Sequence, residues 1–417
     1  MKIAVVGSGI SGLSAAYYLS KKHHVDLFER EDHFGGHSYT IDLFFDEKKI
    51  SVDIGFIVFN FQTYPNLINF FKENDIQIEK SNMSFSVSVD NTKFEYCGKG
   101  LSGIFCNKSN LFNIDFLKMF FDIIKFYKKS DQAIISNDKI TLGEYLKINK
   151  LSKTFVDYHI IPMVSAIWSM PPYEASKMPI SFFLRFFQNH GLFKLKNRPQ
   201  WYTVTNRSRT YVSKIISQLS GEHYKNYKVT KIKRKMSGLD LYYGGESEFF
   251  DYDKVILATH ADEALEIIEN PTEDERNILS NFSYKENIAY IHTDQCAMPK
   301  NKKAWSSWNS SIDDKNLEKN SITYWLNLLQ NLKCDENIFL TLNPYFNIDE
   351  KKILKKVKFT HPYYDQKALD AQSELIKIQN QKDLLFCGSY FGYGFHEDGI
   401  KSSIEMLKNL NESIVYI

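Results

Sequence analysis

Apolar residues run in short dense blocks at the two ends of the chain and at helical spacing through its middle. Residues 2–6 (KIAVV) have the near-continuous apolar pattern of a parallel strand covered on both faces. Residues 12–22 predict a helix and 25–29 (VDLFE) a second buried strand, so the chain opens on a β–α–β unit. Residues 52–58 (VDIGFIV) form another apolar segment. Between about 105 and 195 the period changes, and FLKMFFDIIKFYKK (116–129) and SFFLRFFQNHGLF (181–193) carry helical apolar spacing with high aromatic density. Strands return with YKVTKIKRK (227–235), LDLYYGG (239–245) and the buried block DKVILATH (253–260). Residues 284–293 and 338–343 predict strands of a second sheet, and SITYWLNLLQ (321–330) fits either a strand or a helix. LLFCGSYF (384–391) predicts one more buried strand and EDGIKSSIEMLKNL (397–410) a closing helix.

This order implies an α/β fold in two lobes, as the length of 417 residues also suggests. Residues 1–75, 200–265 and 370–417 form a discontinuous nucleotide-binding domain. Residues 76–199 and 266–369 form an inserted α+β substrate domain with a helical, aromatic-rich lobe. The 52 basic and 50 acidic residues leave a net charge of +2, so no strong field points to nucleic acid. The five cysteines form no CxxC or metal-type cluster, and their odd number argues for a reducing, cytoplasmic compartment. No metal is expected. The N-terminal run resembles a signal peptide but reads better as strand, glycine turn and helix. No apolar stretch is long enough for a membrane span.

The sharpest motif is Gly7-Ser8-Gly9-Ile10-Ser11-Gly12, between a strand and a helix. Gly7 suits the tight turn, Gly9 lets the backbone approach a pyrophosphate, and Gly12 allows close helix–strand packing. The helix N-terminus favours the negative charge. Glu29, at the end of the second strand, is placed to accept hydrogen bonds from an adenosine ribose. A lone motif of this kind is also met in ordinary glycine turns; strand, helix and acid together make it a dinucleotide site.

Glu29-Arg30 is followed by Gly35-Gly36-His37 and then Asp53-Ile54-Gly55. Late in the chain come Gly388-Ser389 and Asp398-Gly399-Ile400 at a helix start. In this pattern the sequence resembles the amine oxidase-like flavoproteins, which include monoamine oxidases, phytoene desaturases and protoporphyrinogen oxidase. The resemblance implies a Rossmann-type, glutathione-reductase-like FAD-binding domain and non-covalent FAD. It places Gly35, Gly36, His37 and Gly55 along the flavin and ribityl, and lends the backbone of Val229 to the adenine. The helix after Asp398 then stabilises reduced flavin. Two positions depart from the pattern: Ser389 stands where an acid is usual, and His37 where many relatives have Arg. Cys387 matches flavin-tethering cysteines in some relatives, but its place inside a buried strand reads as a packed thiol.

PMVSAIWS (162–169), SRTYV (208–212), ATHADEAL (258–265), THPYYD (360–365) and GYGFHEDG (392–399) narrow the resemblance to flavin oxidoreductases found beside or fused to cyclopropane-fatty-acyl-phospholipid synthases. That implies dehydrogenation of methylated acyl chains in phospholipid, with a lipid methyltransferase or cyclopropane synthase-like partner. Phe116, Phe120, Phe121, Phe126 and Tyr127, flanked by Lys118, Lys125, Lys128 and Lys129, fit a helix lying at the inner face of a membrane. They equally fit an aromatic core with a solvated lysine face. Phe182, Phe183, Phe186, Phe187, Phe193 and Trp201 form a second cluster.

The flavin would carry the redox step, so the protein supplies alignment and proton handling. His396 and Glu397, just before the flavin-facing helix, are the candidate catalytic pair, with capping or packing roles as the alternative. Trp168, Tyr324, Trp325 and Tyr393 are candidates for the substrate wall; His159 and His190 read as core or surface histidines. The flavin motifs alone fit an amine or amino-acid oxidase, which would want an aromatic cage or an Arg among Arg185, Arg198, Arg207 and Arg209. A non-catalytic flavoprotein assisting a methyltransferase is the third reading.

Overall fold

The first strand, Lys2–Val6, lies at the centre of a five-stranded parallel sheet. Across the sheet run His223–Lys225, His24–Glu29, Lys2–Val6, Lys254–Leu257 and Leu384–Phe386, all pairs parallel. The structure is a computed structural model that describes residues 1–90, 92, 94–131, 139–194, 197–245 and 248–410. Side chains alternate across the sheet, which separates two cores. Ile3, Val5, Val25, Leu27, Ile256 and Leu385 pack against helices Ile10–Ser20, Pro65–Glu73, Ser208–Ile216 and His396–Lys408. Ala4, Val6, Phe28, Val255, Leu257 and Phe386 face the antiparallel strands Val229–Arg234, Leu239–Tyr243 and Phe249–Tyr252. Burying each such Val, Leu, Ile or Phe stabilises the layer by about 1.5–3 kcal/mol.

A seven-stranded sheet builds the second lobe, in the order Ile353–Tyr363, Ser283–His292, Phe339–Leu342, Asn320–Trp325, Trp308–Ile312, Phe85–Val89 and Glu95–Cys97. One face is apolar, with Ile291, Leu340, Ile322 and Tyr324 in a single cluster. Part of the sheet interior is instead polar and cross-bonded. Ser86 Oγ donates to Asn309 Oδ1 (2.7 Å), the Thr323 and Thr341 hydroxyls are 2.8 Å apart, and His292 Nε2 lies 2.7 Å from Thr341 Oγ1. Strands so rich in Ser, Thr and Asn carry a weak apolar signal, which is why Phe85–Val89 and Trp308–Ile312 are not evident from hydrophobic pattern. The ambiguous segment 321–330 divides into the strand Asn320–Trp325 and one helical turn, Leu326–Leu329.

The helical lobe spans Ile114–Asp131, Leu142–Ile148, Ile161–Trp168 and Ile180–Asn189. Phe116, Phe126, Tyr127, Phe183, Phe187 and Phe193 form its core. The 116–127 aromatics divide between the two readings given for them: Phe116, Phe126 and Tyr127 are buried, Phe116 against Phe94 and Phe105 and the other two against Phe193, whereas Phe121 is exposed.

His159 ties this core together. Tyr96 Oη donates to the Tyr158 carbonyl (2.8 Å), so His159 Nδ1–H donates to Tyr96 Oη (2.8 Å) and Nε2 accepts from Tyr127 Oη (2.9 Å). Desolvation holds His159 down to about 3 and the buried His292 down to about 4. Both remain neutral when folded and titrate near 6.5 when unfolded. The unfolded chain therefore binds more protons below 6.5, and the stability they contribute is full above that pH and falls toward pH 4. The two together predict a loss of about 2–3 kcal/mol between pH 6 and pH 5. Urea unfolding across that range measures it; an unchanged midpoint would contradict the neutral, buried assignment.

Candidate functional site

The glycine loop is held by the end of the second strand. Gly7, at φ +99°, donates its N–H to the Phe28 carbonyl, and the Cβ of any other residue there would lie 2.7 Å from the Ala258 carbonyl oxygen. A Cβ at Gly12 would come within 1.9 Å of the Gly7 carbonyl oxygen, so the helix can approach only through glycine. Gly9 differs from both: no atom lies within 4 Å of its would-be Cβ. It opens the helix Ile10–Ser20, whose N-terminus no side chain caps. Open space over an uncapped, partly positive helix end is what a pyrophosphate requires.

Glu29 is buried beside it. Its Oε2 accepts from Ser8 N (3.1 Å) and Oγ (2.5 Å), and its Oε1 from Glu31 N (3.0 Å). Ser8 Oγ also accepts from Gly35 N (3.0 Å), which ties the Gly35-Gly36 turn to the loop. Gly36, at φ +55°, packs so that its would-be Cβ lies 3.0 Å from Gly9 Cα. Arg30 faces outward to Glu263 (2.6 Å) and Glu31 (3.1 Å). Tyr227 N donates to the Glu29 carbonyl (2.8 Å), so Val229 lies two residues beyond this edge.

His37 follows the glycine pair. Its ring bonds the Thr360 backbone and stacks on Phe359 (5.3 Å), while Nε2 is buried without a hydrogen-bond partner. Gly55 is needed here because a Cβ would strike the His37 carbonyl at 2.1 Å. Burial first, then His361, His260 and His396, push His37 well below the usual histidine range. These four imidazoles gather in one place. Each is only partly covered in surface terms, yet burial pushes His361 to about 4 and His396 to about 3. Among the described residues no group of His, Cys, Asp and Glu is arranged to hold a metal ion.

The closing helix packs against the glycine loop and the first helix. Gly399 packs against Ile10 and Ser11, Ser14 Oγ lies 2.6 Å from Ser403 Oγ, and Gly388 N donates to Ser402 Oγ (2.9 Å). Chain ends almost 400 residues apart thus place two helix N-termini side by side. Ser389 starts a single turn, Ser389–Phe391, whose carbonyl accepts from Gly392 N and Gly394 N.

His396 stacks on Phe56 (3.6 Å) and its Nε2 lies 2.9 Å from Ser38 Oγ, which also bonds Tyr211. Held near 3, it is a weak proton acceptor at neutral pH. Glu397 takes Asn66 N (3.0 Å), Asn66 Nδ2 (2.6 Å) and Leu67 N (3.0 Å) at the start of the helix Pro65–Glu73. Both its oxygens serve that anchor, so the expected acid–base pair is geometrically a stacking ring and a helix cap. Asp398, assigned from sequence to the cofactor alone, is a carboxyl that burial pushes up to about 6, against its bond from Phe395 N (2.9 Å).

Trp168 and Tyr393 meet: Trp168 Nε1 donates to the Tyr393 carbonyl (3.3 Å), within rings that include Phe182, Phe186 and Phe395. Tyr324 is in the apolar sheet cluster with Ile322 and Ala166. Trp325 is not brought to them. Consecutive strand residues face opposite ways, and Trp325 packs on Trp305 (5.3 Å) with Nε1 bonded to Asn337 (2.9 Å). Asp53, read from sequence as part of a flavin motif, instead binds Thr40 and Ser208. Cys387 is fully buried in apolar surroundings that push its thiol up. Acid precipitation is therefore expected to release all flavin to the supernatant; colour retained in the pellet would show a covalent link.

Fold and cradle together define the class: a Rossmann-type α/β protein with the fold of FAD-dependent amine oxidase-like oxidoreductases, whose open Gly9 face, paired helix ends and Gly35–His37 turn fit FAD. Residues 5–73 match the NAD(P)-binding Rossmann-like domain model. The chain is 25% identical over 189 residues to a 15-cis-phytoene desaturase of Synechococcus elongatus, a match spanning 42% of this chain and 39% of the desaturase. Among solved structures it is similar to the CLA-producing fatty acid isomerase from P. acnes, at TM-score 0.67 and 13% identity over 98% of both chains. It is likewise similar to putrescine oxidase bound to putrescine, at TM-score 0.69 and 12% identity over 99% of this chain and 100% of the oxidase.

Proposed function

We propose that the protein is an FAD-dependent oxidoreductase that dehydrogenates a fatty-acyl chain carried on phospholipid. The observation that carries this reading is the aromatic wall beside the 388–395 turn. Trp168 and Phe186 (4.6 Å), Phe182 and Tyr393 (4.9 Å), and Phe186 and Phe395 (5.0 Å) pack together, the first three of these side chains buried and Tyr393 and Phe395 half-buried, so what lies beside the turn is apolar and suits methylene groups better than an ammonium. Bound FAD supplies the hydride acceptor. The chain's own part is to align the substrate and exclude water, with Asp398, which desolvation raises to about 6, for proton exchange near neutral pH.

An amino-acid oxidase needs a cation for the substrate carboxylate. Arg207 donates to the Ser51 carbonyl, Arg209 to Asp42 and the Thr40 carbonyl, and Arg198 to the Lys194 carbonyl. Arg185 is exposed. The fatty acid isomerase and the phytoene desaturase, both named for apolar substrates, favour the acyl reading. The putrescine oxidase fold favours an amine reading. One experiment separates them: anaerobic mixing of the flavin-loaded protein with phospholipid or with a panel of amines, following flavin bleaching, together with fatty-acid profiles of membranes from an expressing host. Bleaching by phospholipid and a changed profile support the proposal. Bleaching by an amine with an unchanged profile replaces it with the oxidase.

A further inference from the structure

Large apolar side chains are exposed in an uneven way. Leu101, Leu111, Phe112, Ile114 and Phe121 are 47–86% exposed and all lie between residues 101 and 121. The helix Ile114–Asp131 accounts for much of this because it carries two apolar stripes. Phe116, Met119, Phe126 and Tyr127 face the core. Ile114, Leu117, Phe121 and Ile124 recur at i, i+3, i+7 and i+10 on the opposite side, where Ile114 and Phe121 are exposed and the other two half-buried. A single buried face needs only the first stripe. The 3-10 turn Lys108–Phe112, which packs against this helix, adds Leu111 and Phe112 at its start.

Charge follows the same surface. Between residues 99 and 129 six lysines (99, 108, 118, 125, 128, 129) stand against Asp115 and Asp122, a net +4 in a chain whose total is +2. On a helical projection Lys118 and Lys125 border one side of the outer stripe and Lys128 continues it toward the helix end, while Asp122 turns away to cap Ser152 N (2.8 Å). Phe112, at 86% exposure, protrudes; a protein partner would need a matching pocket, whereas fluid lipid accommodates a convex apolar knob. Apolar tips ringed by lysine stems match the headgroup boundary of an anionic leaflet. Among the described residues no helix is long and apolar enough to cross a membrane, so such contact stays interfacial.

We propose that this surface docks the protein on an anionic phospholipid bilayer, with Leu111, Phe112, Ile114 and Phe121 entering the interface and Lys108, Lys118 and Lys125 at the phosphates. The choice of lipid over a protein partner rests on the acyl-substrate reading. Flotation of the full flavin-loaded chain, with phosphatidylcholine vesicles lacking or containing phosphatidylglycerol, at low and high salt, tests it without turnover. The wild type floats with anionic vesicles, less so at high salt. Phe112→Glu with Phe121→Glu weakens flotation roughly tenfold or more, and Lys118→Glu with Lys125→Glu removes the salt-sensitive part. Because these side chains are exposed, flavin content and thermal unfolding stay as in the wild type. Three results would overturn the proposal: no flotation with anionic vesicles, equal flotation of the double-Glu variant, or a salt-independent dimer that the variant dissolves, which assigns the face to a second copy. Vesicle binding without any acyl oxidation would fail the functional reading and leave the docking surface standing. Acyl oxidation in detergent without vesicle binding would do the reverse.

Discussion

Gly9→Val protein folds and is colourless. The would-be Cβ at Gly9 meets nothing within 4 Å, and its backbone, at φ −63° and ψ 177°, is open to any residue. The added side chain therefore disturbs no protein contact. Unfolding of the flavin-free protein shifts by less than about 1 kcal/mol, the scale of a weakened helix cap. The branched side chain instead fills the space over the helix end where the pyrophosphate lies, so the purified variant loses flavin absorbance. Gly12→Val separates the two effects. Its Cβ would meet the Gly7 carbonyl oxygen at 1.9 Å, a backbone atom that cannot yield, and the cost is about 3 kcal/mol or more. Absorbance near the flavin band and urea unfolding of the stripped protein measure both. A yellow Gly9→Val protein with wild-type flavin content would remove the cradle from the place assigned here.

The second large effect is at Asp53. Its carboxylate accepts from Thr40 Oγ1 (2.6 Å), Ser208 Oγ (2.7 Å) and Ser208 N (2.9 Å), while its backbone exchanges two bonds with Gln330 (2.9 and 2.7 Å). Four distant segments meet at this residue. Arg207, at φ +77°, precedes the helix Ser208–Ile216 and provides no side-chain cap, so Asp53 caps that helix from another strand. Thr40 Oγ1 and Ser208 Oγ lie 3.2 Å apart and can satisfy one hydroxyl between them, so Asp53→Ala leaves Ser208 N and one hydroxyl without an acceptor, and each orphan costs about 1–3 kcal/mol. A loss of about 4 kcal/mol is expected by chemical denaturation. Asp53→Asn keeps one acceptor oxygen and loses less. Flavin content falls with stability, since Gly55 supports His37 two residues further on. If Asp53→Ala retained wild-type stability but lost flavin, the residue would touch the cofactor directly.

Asp53 shows that an acid within a cofactor motif can serve the scaffold. In sequence, Gly55 is the residue of Asp-x-Gly expected to allow a close approach; in the structure it lies against the His37 carbonyl, and the acid is a helix cap. Glu397 repeats the lesson, because a carboxylate next to a flavin-facing helix is also the residue that caps its neighbour. Trp325 was separated from Tyr324 by strand alternation alone, which applies only once the segment is known to be a strand. Asp398 carried no sequence signal as a proton-exchanging group, since its elevated pKa comes from burial by elements far away in the chain.

The sequence by itself determined the β–α–β opening, the glycine loop, Glu29 and the closing helix. Each rests on local rules: apolar blocks make buried strands, only glycine fits the tight turn, and an acid at a strand end reaches the next loop. Tertiary structure alone decided the rest. It paired Ser14 with Ser403, brought four histidines from separate segments together, and hid most of the 116–127 aromatics while leaving Phe112 and Phe121 in solvent. Those outcomes depend on which faces meet across hundreds of residues, and burial, orientation and pKa arise only from that meeting. The loop from Gly7 to Gly12 is written in the chain; what stands opposite it is written only in the fold.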